Sequence, residues 1–305
     1  MLKRIPEIFF KPFPYWEKID FFRKVLYVFL LFNAVSLLPI TSELFGYNGI
    51  VGSVGWNTSF PWYEQGSKGL LNVLNHPSNS GYPWLAYLFV YGQIVLLISG
   101  LFNFLPRITS LLLYFVTANL FVKGYLMFTG GEALVSILLF YLIFIQQASR
   151  SQMAKGLPRF SDLQNVLNNT FFWIILIQIC ILYFFSNLYK LMDPHWLSGD
   201  TLMYISRVDA FSSSTMRALF ADHPTLSLIG TYVVLLYQGL FPVLVWIKRI
   251  KIPFLILGVL IHISIAFGMG IFTFGIVMIL TYFLFLDTEQ IQWIKKCFSR
   301  KRLKG

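Results

Sequence analysis

From Thr170 to Leu191 the chain reads TFFWIILIQICILYFFSNLYKL, and Lys190 is its only charged residue. A hydrocarbon core about 30 Å thick is crossed by a helix of about 20 mostly apolar residues, and similar runs occur near 22–40, 84–105, 108–128, 132–147 and 225–247. From Ile252 to Leu286 the apolar character continues for 35 residues. At about 1.5 Å per residue that would be a helix of about 52 Å, too long for one crossing. Gly268, Met269 and Gly270 offer a break, giving spans near 252–268 and 271–286. With 57% hydrophobic and only 12% charged residues, the chain lacks the polar surface of a water-soluble domain. The expected fold is all-α: a polytopic membrane helix bundle of about eight transmembrane helices forming one domain over 1–305. Helical or irregular extracytoplasmic loops are expected at 41–83 and 191–224.

Charge sets the orientation. With eight spans, 19 of the 24 Lys and Arg residues fall on one side, in the N-terminal segment, at Arg107, around Arg150, Lys155 and Arg159, at Lys248, Arg249 and Lys251, and in the tail. Lys68, Lys123, Lys190, Arg207 and Arg217 lie opposite. Basic residues accumulate in cytoplasmic loops, so both termini are expected in the cytoplasm, and a seven-span arrangement would export the basic tail. The same asymmetry accounts for the net charge of +11 with the lipid bilayer as partner and no nucleic acid. The expected location is a bacterial inner or cytoplasmic membrane. Cys180 inside a span and Cys297 in the tail cannot form a disulfide across a bilayer. The first span lacks a small-residue cleavage motif and is expected to remain as an anchor.

Polar residues inside spans carry the functional signal, because facing lipid would cost several kcal/mol. Tyr183, Ser186, Asn187 and Lys190 stand at offsets 0, 3, 4 and 7, on one face of a helix. Lys190 either ends the span and lifts its ammonium into the headgroups, or faces a polar site with the rest of that stripe. His262 lies inside the seventh span. It is either a structural histidine satisfied by neighbouring helices or a residue that holds a buried polar group or relays a proton. Glu132 follows Thr129 by three residues directly before an apolar run, the spacing of a capping box; its carboxylate is also a candidate site group. Tyr47, Trp56, Trp62, Tyr63, Tyr82 and Trp84 suit an interfacial lid or an aromatic entrance, and His76 is expected to be solvated. No set of metal-ligand spacing, nucleotide loop, nucleophile elbow or HExxH motif appears.

Three segments carry a resemblance. QICILYFFSNLYKLMDPHWLSGD, HISIAFGMGIFTFGIVM and TGGEALVSILLFYLIF are together similar to motifs of the vitamin K-dependent gamma-carboxylase superfamily, the horizontally transferred transmembrane domain (HTTM) family. Its bacterial short forms include membrane proteins that help mature sporulation-delaying toxins. The resemblance implies that Lys190 is the base that deprotonates a quinol before oxygen addition, which requires an amine desolvated enough to spend time unprotonated. It implies that His262 is a second catalytic residue that helps hold the quinone or an intermediate. Tyr183, Asn187, Trp196 and Glu132 become substrate- or quinone-binding residues. The implied cofactor is a membrane quinone of the menaquinone or vitamin K type, with no metal. The chain departs from the carboxylases at Gly131, where they carry a histidine, and by one residue inserted between Lys190 and Trp196. No large lumenal region is expected after the last span, so a secreted peptide would be brought by a separate soluble partner.

Two functions follow. One is a lipid-quinol-dependent oxidoreductase or carboxylase-like lyase acting on a secreted peptide or lipid at the extracytoplasmic face. The other is a non-catalytic membrane module for maturation, export or anchoring of a peptide toxin or envelope protein.

Overall fold

A computed structural model describes residues 11–45, 84–123, 129–146 and 161–291. Every regular element among them is helical. Two compact units divide the chain at Ile174/Ile175.

The first unit contains α1 (Trp16–Leu37), a 3₁₀ turn at Leu38–Ile40, α2 (Thr41–Phe45), α3 (Trp84–Leu101), α4 (Pro106–Lys123), α5 (Gly130–Phe144) and the beginning of α6 (Asp162–Leu191). Pro39 lies at the start of the 3₁₀ turn, where a missing N–H costs little. Leu44 and Phe45 pack with Ala86, Phe89, Val90 and Leu120 into a buried apolar cluster. Polar ties cross this unit. Arg23 of α1, 1% exposed, donates to Ser110 Oγ at 3.0 Å and to the carbonyls of Leu142 and Ile145 at the end of α5, where the helix dipole favours a cation. Gln93 Nε2 donates to Thr117 Oγ1 at 3.0 Å. Asn168 Oδ1 accepts from the Gln146 N–H at 2.8 Å. In hydrocarbon, where apolar contact between helices gains little over contact with lipid, such bonds specify which helices pair.

The second unit contains the rest of α6, the short helices α7 (Pro194–Ser198), α8 (Thr201–Ser206) and α9 (Ser214–Phe220), then α10 (Pro224–Leu244), α11 (Lys248–Ile263) and α12 (Phe272–Phe285). A five-residue π-helical turn, Ser264–Gly268, continues α11, and Gly270 at φ +72° reverses the chain into α12, a conformation natural to glycine. The segment after α6 is itself helical. Asp193 caps α7, its carboxylate accepting from the His195 N–H at 2.8 Å. Arg207 donates to the Ala221 carbonyl at 2.8 Å, and Arg217 pairs with Asp209.

The chain is a helical membrane protein, but the count of eight spans needs correction. Four helices among the described residues are long and apolar enough to cross a bilayer: Trp16–Phe45, Asp162–Leu191, Pro224–Leu244 and Lys248–Gly268. Ala86–Leu101, Gly130–Phe144 and Phe272–Phe285 are apolar but shorter, 10–17 residues. At about 1.5 Å per residue a 14-residue helix reaches only about 21 Å, less than the hydrocarbon thickness. α4 has 18 residues, yet Thr109, Ser110, Thr117 and Asn119 make it polar inside. Lys251, counted above among the basic residues of one side, also holds the fold together. It is buried at the start of α11 and binds Asp287 Oδ2 and the Phe285 carbonyl, both at 3.1 Å. The outer-loop aromatics from Tyr47 to Tyr82, His76 and Cys297 lie outside the described residues.

Candidate functional site

α6 is long because nothing in its sequence stops it: from Asp162 to Leu191 it contains neither Pro nor Gly. It ends in "LMDPHW", where Pro194 lacks the N–H that would continue the helix. The last turns of α6 carry Tyr183, Ser186, Asn187 and Lys190, and within the second unit these residues meet two separate sets of partners.

The inner set is a chain of hydroxyls. Tyr183 Oη lies 2.6 Å from His262 Nε2 and is hydrogen-bonded to Tyr282 Oη; Tyr237 donates to Tyr282 Oη at 3.0 Å. One residue comes from each of α6, α10, α11 and α12. Tyr183, Tyr237, Tyr282 and His262 are all buried, the last at 2% exposure. Phe241 stacks on Tyr183 with ring centroids 4.0 Å apart, and Phe274 meets the imidazole edge-on at 5.5 Å. Two glycines allow the approach. A Cβ at Gly258 would fall 2.6 Å from Tyr282 Oη and still closer to the Tyr237 hydroxyl; one at Gly275 would fall 2.7 Å from Ala266 Cβ and against the His262 carbonyl. Among the described residues His262 Nδ1 has no hydrogen-bond partner.

The outer set surrounds Lys190. Its Nζ donates to Ser186 Oγ at 2.7 Å and lies 5.0 Å from the centre of the Trp196 ring on α7. Ser186 in turn donates to Gln238 Oε1 at 3.4 Å. Among the described residues no carboxylate lies within ion-pair distance of the amine. The side chain therefore folds back one turn along α6, toward Tyr183, instead of extending away from it. Seven residues separate Tyr183 from Lys190, about 10 Å along the axis. Asn187 stands in the same turn as Ser186. Its amide packs against Gly239, where a Cβ would fall 2.8 Å from Nδ2, and its buried Oδ1 has no partner among the described residues.

Five of the expected site residues thus belong to the second unit: Tyr183 and His262 in direct contact, Lys190 and Trp196 in direct contact, and Asn187 between the two groups in sequence. Glu132 belongs to the first unit. There it completes the capping box: Oε2 accepts from the Thr129 N–H at 2.9 Å and from Thr129 Oγ1 at 2.7 Å, while Thr129 Oγ1 accepts from Gly131 N–H at 3.2 Å. Sequence reasoning missed Tyr237, Gln238 and Tyr282. The signal was present in "LLYQGLF" and "ILTYFLF", where phenol and amide groups inside apolar runs require partners. No group of three or more His, Cys, Asp or Glu residues among the described ones could hold a metal ion.

The uncharacterized protein YitO of Bacillus subtilis (strain 168) is 24% identical over 232 residues, covering 72% of this chain and 74% of YitO. No family model matches the chain, and no solved structure matches it.

Proposed function

We propose that the chain is a carboxylase-like (HTTM) membrane enzyme of quinol-linked chemistry, with Lys190 as its base at the extracytoplasmic end of α6. The observation that carries this reading is the posture of Lys190. A lysine serving only as an anchor extends its ammonium toward the headgroups; this one turns back into the span, bonded to Ser186 and covered by Trp196. A base needs an amine that is not held charged by a carboxylate, and a neighbouring aromatic face onto which a flat ring can stack. A bound quinol would supply an acidic hydroxyl there, and the residue's part would be to take that proton on the free amine and to stabilise, as the ammonium, the negative charge left nearby. Trp196 and Asn187 orient the ring. His262 and Tyr183 act from below, about two turns deeper in the span.

The basic N-terminal segment, Lys248, Arg249 and the tail support cytoplasmic termini; with Lys190 at the outer end of α6 this requires shorter apolar helices to cross as well, an odd number of α3, α4 and α5 before α6 and α12 after α11, with local thinning of the bilayer. The substrate is a secreted peptide or a lipid at the outer face, with a separate soluble protein as partner in the peptide case. Mass analysis of lipids extracted from the purified protein tests the cofactor assignment. A menaquinone-type quinone in stoichiometric amount is expected, and reduced in the Trp196→Ala variant. Phospholipid alone, with no binding of added menaquinone, would point instead to the non-catalytic maturation or export module.

A further inference from the structure

Charge counting puts residues 191–224 outside the membrane, yet the bonds of α7, α8 and α9 hold them beside a spanning helix and not beyond its end. α10 has 21 residues, about 31 Å, and needs nearly all of that length to cross a hydrocarbon core of about 30 Å. It starts at Pro224, so its residues 227 to 232 lie about 4–12 Å below that end. The Met203 N–H donates to Ser227 Oγ at 2.8 Å, the Leu202 N–H to Thr231 Oγ1 at 3.4 Å, and Tyr232 Oη to the Leu197 carbonyl at 2.6 Å. Leu202 also packs on Gly230, where a Cβ would fall 2.6 Å from its Cδ1. α9 closes on the reversal between α11 and α12: the Ser213 N–H donates to the Gly268 carbonyl at 2.8 Å, and a Cβ at Gly268 would fall 3.2 Å from Met216 Sδ.

The same segment is apolar on its far side. Leu202 and Met216 are buried, while Leu197, Tyr204, Val208, Phe211 and Leu219 are each 46–52% exposed. Exposed apolar surface of this kind marks contact with a membrane or a partner. At the same level α10 exposes Leu228, Ile229 and Leu236, which face lipid as part of a spanning helix, so the apolar surface of α7–α9 continues one already covered by acyl chains. The charges suit such a position. Arg217 and Leu219 stand two residues apart, about 200° around α9, so cation and apolar side chain leave it on opposite sides. Arg217 is paired with Asp209, and Arg207 is bonded to the Ala221 carbonyl.

We infer that α7–α9 form a membrane-binding surface that lies in the outer leaflet, at the boundary of headgroups and acyl chains. Leu197, Tyr204, Phe211 and Leu219 enter the acyl layer, and Arg217 stays among the headgroups. Helices lying in this plane bury their apolar face by about 5–10 Å, which matches the level set by the bonds to α10. Trp196 belongs to the segment, so the ring that lies against Lys190 is carried by an element anchored in lipid.

Site-directed spin labelling of the full chain in lipid nanodiscs tests this, with Cys180→Ala and Cys297→Ser removing the native thiols. Labels at Leu197→Cys, Phe211→Cys and Leu219→Cys are expected to collide more with oxygen, which concentrates among acyl chains, than with a water-soluble nickel chelate. At Arg217→Cys the order is expected to reverse. Nickel collisions dominating at all of these positions would overturn the proposal and leave α7–α9 a solvated cap. Weak collision with both reagents at the apolar positions would also overturn it, by showing a face covered by protein. Hydroxyl-radical footprinting of the unsubstituted protein in nanodiscs supplies a check that needs no variant: Tyr204 and Phe211 are expected to resist oxidation, and their oxidation at the rate of solvated aromatics would contradict burial in lipid.

Discussion

At the scale of single residues, the chain gives opposite tasks to its two polar intramembrane groups. His262 bonds to the Tyr183 hydroxyl and lies against the rings of Tyr183, Tyr282 and Phe274; Lys190 sits two turns outward on α6's face with a hydroxyl and an indole as neighbours. The enclosed group tolerates little change. Gly258→Ala would drive a methyl into the Tyr237 and Tyr282 hydroxyls, and overpacking of this kind costs about 1–3 kcal/mol. A lower unfolding temperature in detergent is expected, and an unchanged one would mean that the two phenols have room to separate. Tyr282→Phe removes the hydroxyl that joins the chain. The expected loss is about 0.6–2 kcal/mol, since bonds between helices in membranes average toward the low end. The Tyr183 and Asn187 positions were legible from their helical spacing alone. Their partners were not, because offsets within one helix give no information on which residue of another helix arrives opposite.

At the scale of elements, the ends of helices are where sequence spoke most clearly. Thr129 and Glu132 announced the start of α5 through the capping-box spacing, and the box is present with both reciprocal bonds. Glu132→Ala should therefore act as a cap deletion, costing about 0.5–2 kcal/mol. A loss of activity without loss of stability would instead restore Glu132 to the chemistry. Gly270, at φ +72°, marks the reversal between α11 and α12, a conformation natural to glycine. The far end of that hairpin carries a pairing that charge counting does not reveal: Lys251 is buried and bound to Asp287 across the hairpin. Removing one partner of a buried pair leaves a charge in low dielectric. Asp287 is 38% exposed, so solvent screening trims the expected cost of Asp287→Asn to about 1–3 kcal/mol. Adding Lys251→Met should recover most of it; a double variant no better than the single would show that the hairpin is held elsewhere.

At the scale of the molecule, composition and apolar runs sufficed to identify an all-helical membrane protein. The number of crossings did not follow from them. A run of apolar residues specifies burial in something apolar, lipid or protein, and helices of 14 to 16 residues stop short of the bilayer's thickness. Orientation rests on charge, and it is tested at two exposed positions. A membrane-impermeant thiol reagent applied to whole cells should label Met192→Cys, beside Lys190, and should not label Arg249→Cys. The reverse pattern would put the Lys190 end of α6 in the cytoplasm and remove any outer-face site. The central claim is that Lys190 gives and takes a proton, and oxygen-coupled oxidation of reduced menaquinone by the purified protein in nanodiscs tests it most directly. Arg can occupy the place of Lys and keep the positive charge, but it does not release its proton at working pH. Wild-type protein is expected to oxidise the quinol faster than empty nanodiscs, with Lys190→Arg and Lys190→Gln both reduced at least about 100-fold, the lower range of a general base's contribution. Wild-type rates in Lys190→Arg would contradict the account and leave Lys190 an anchor.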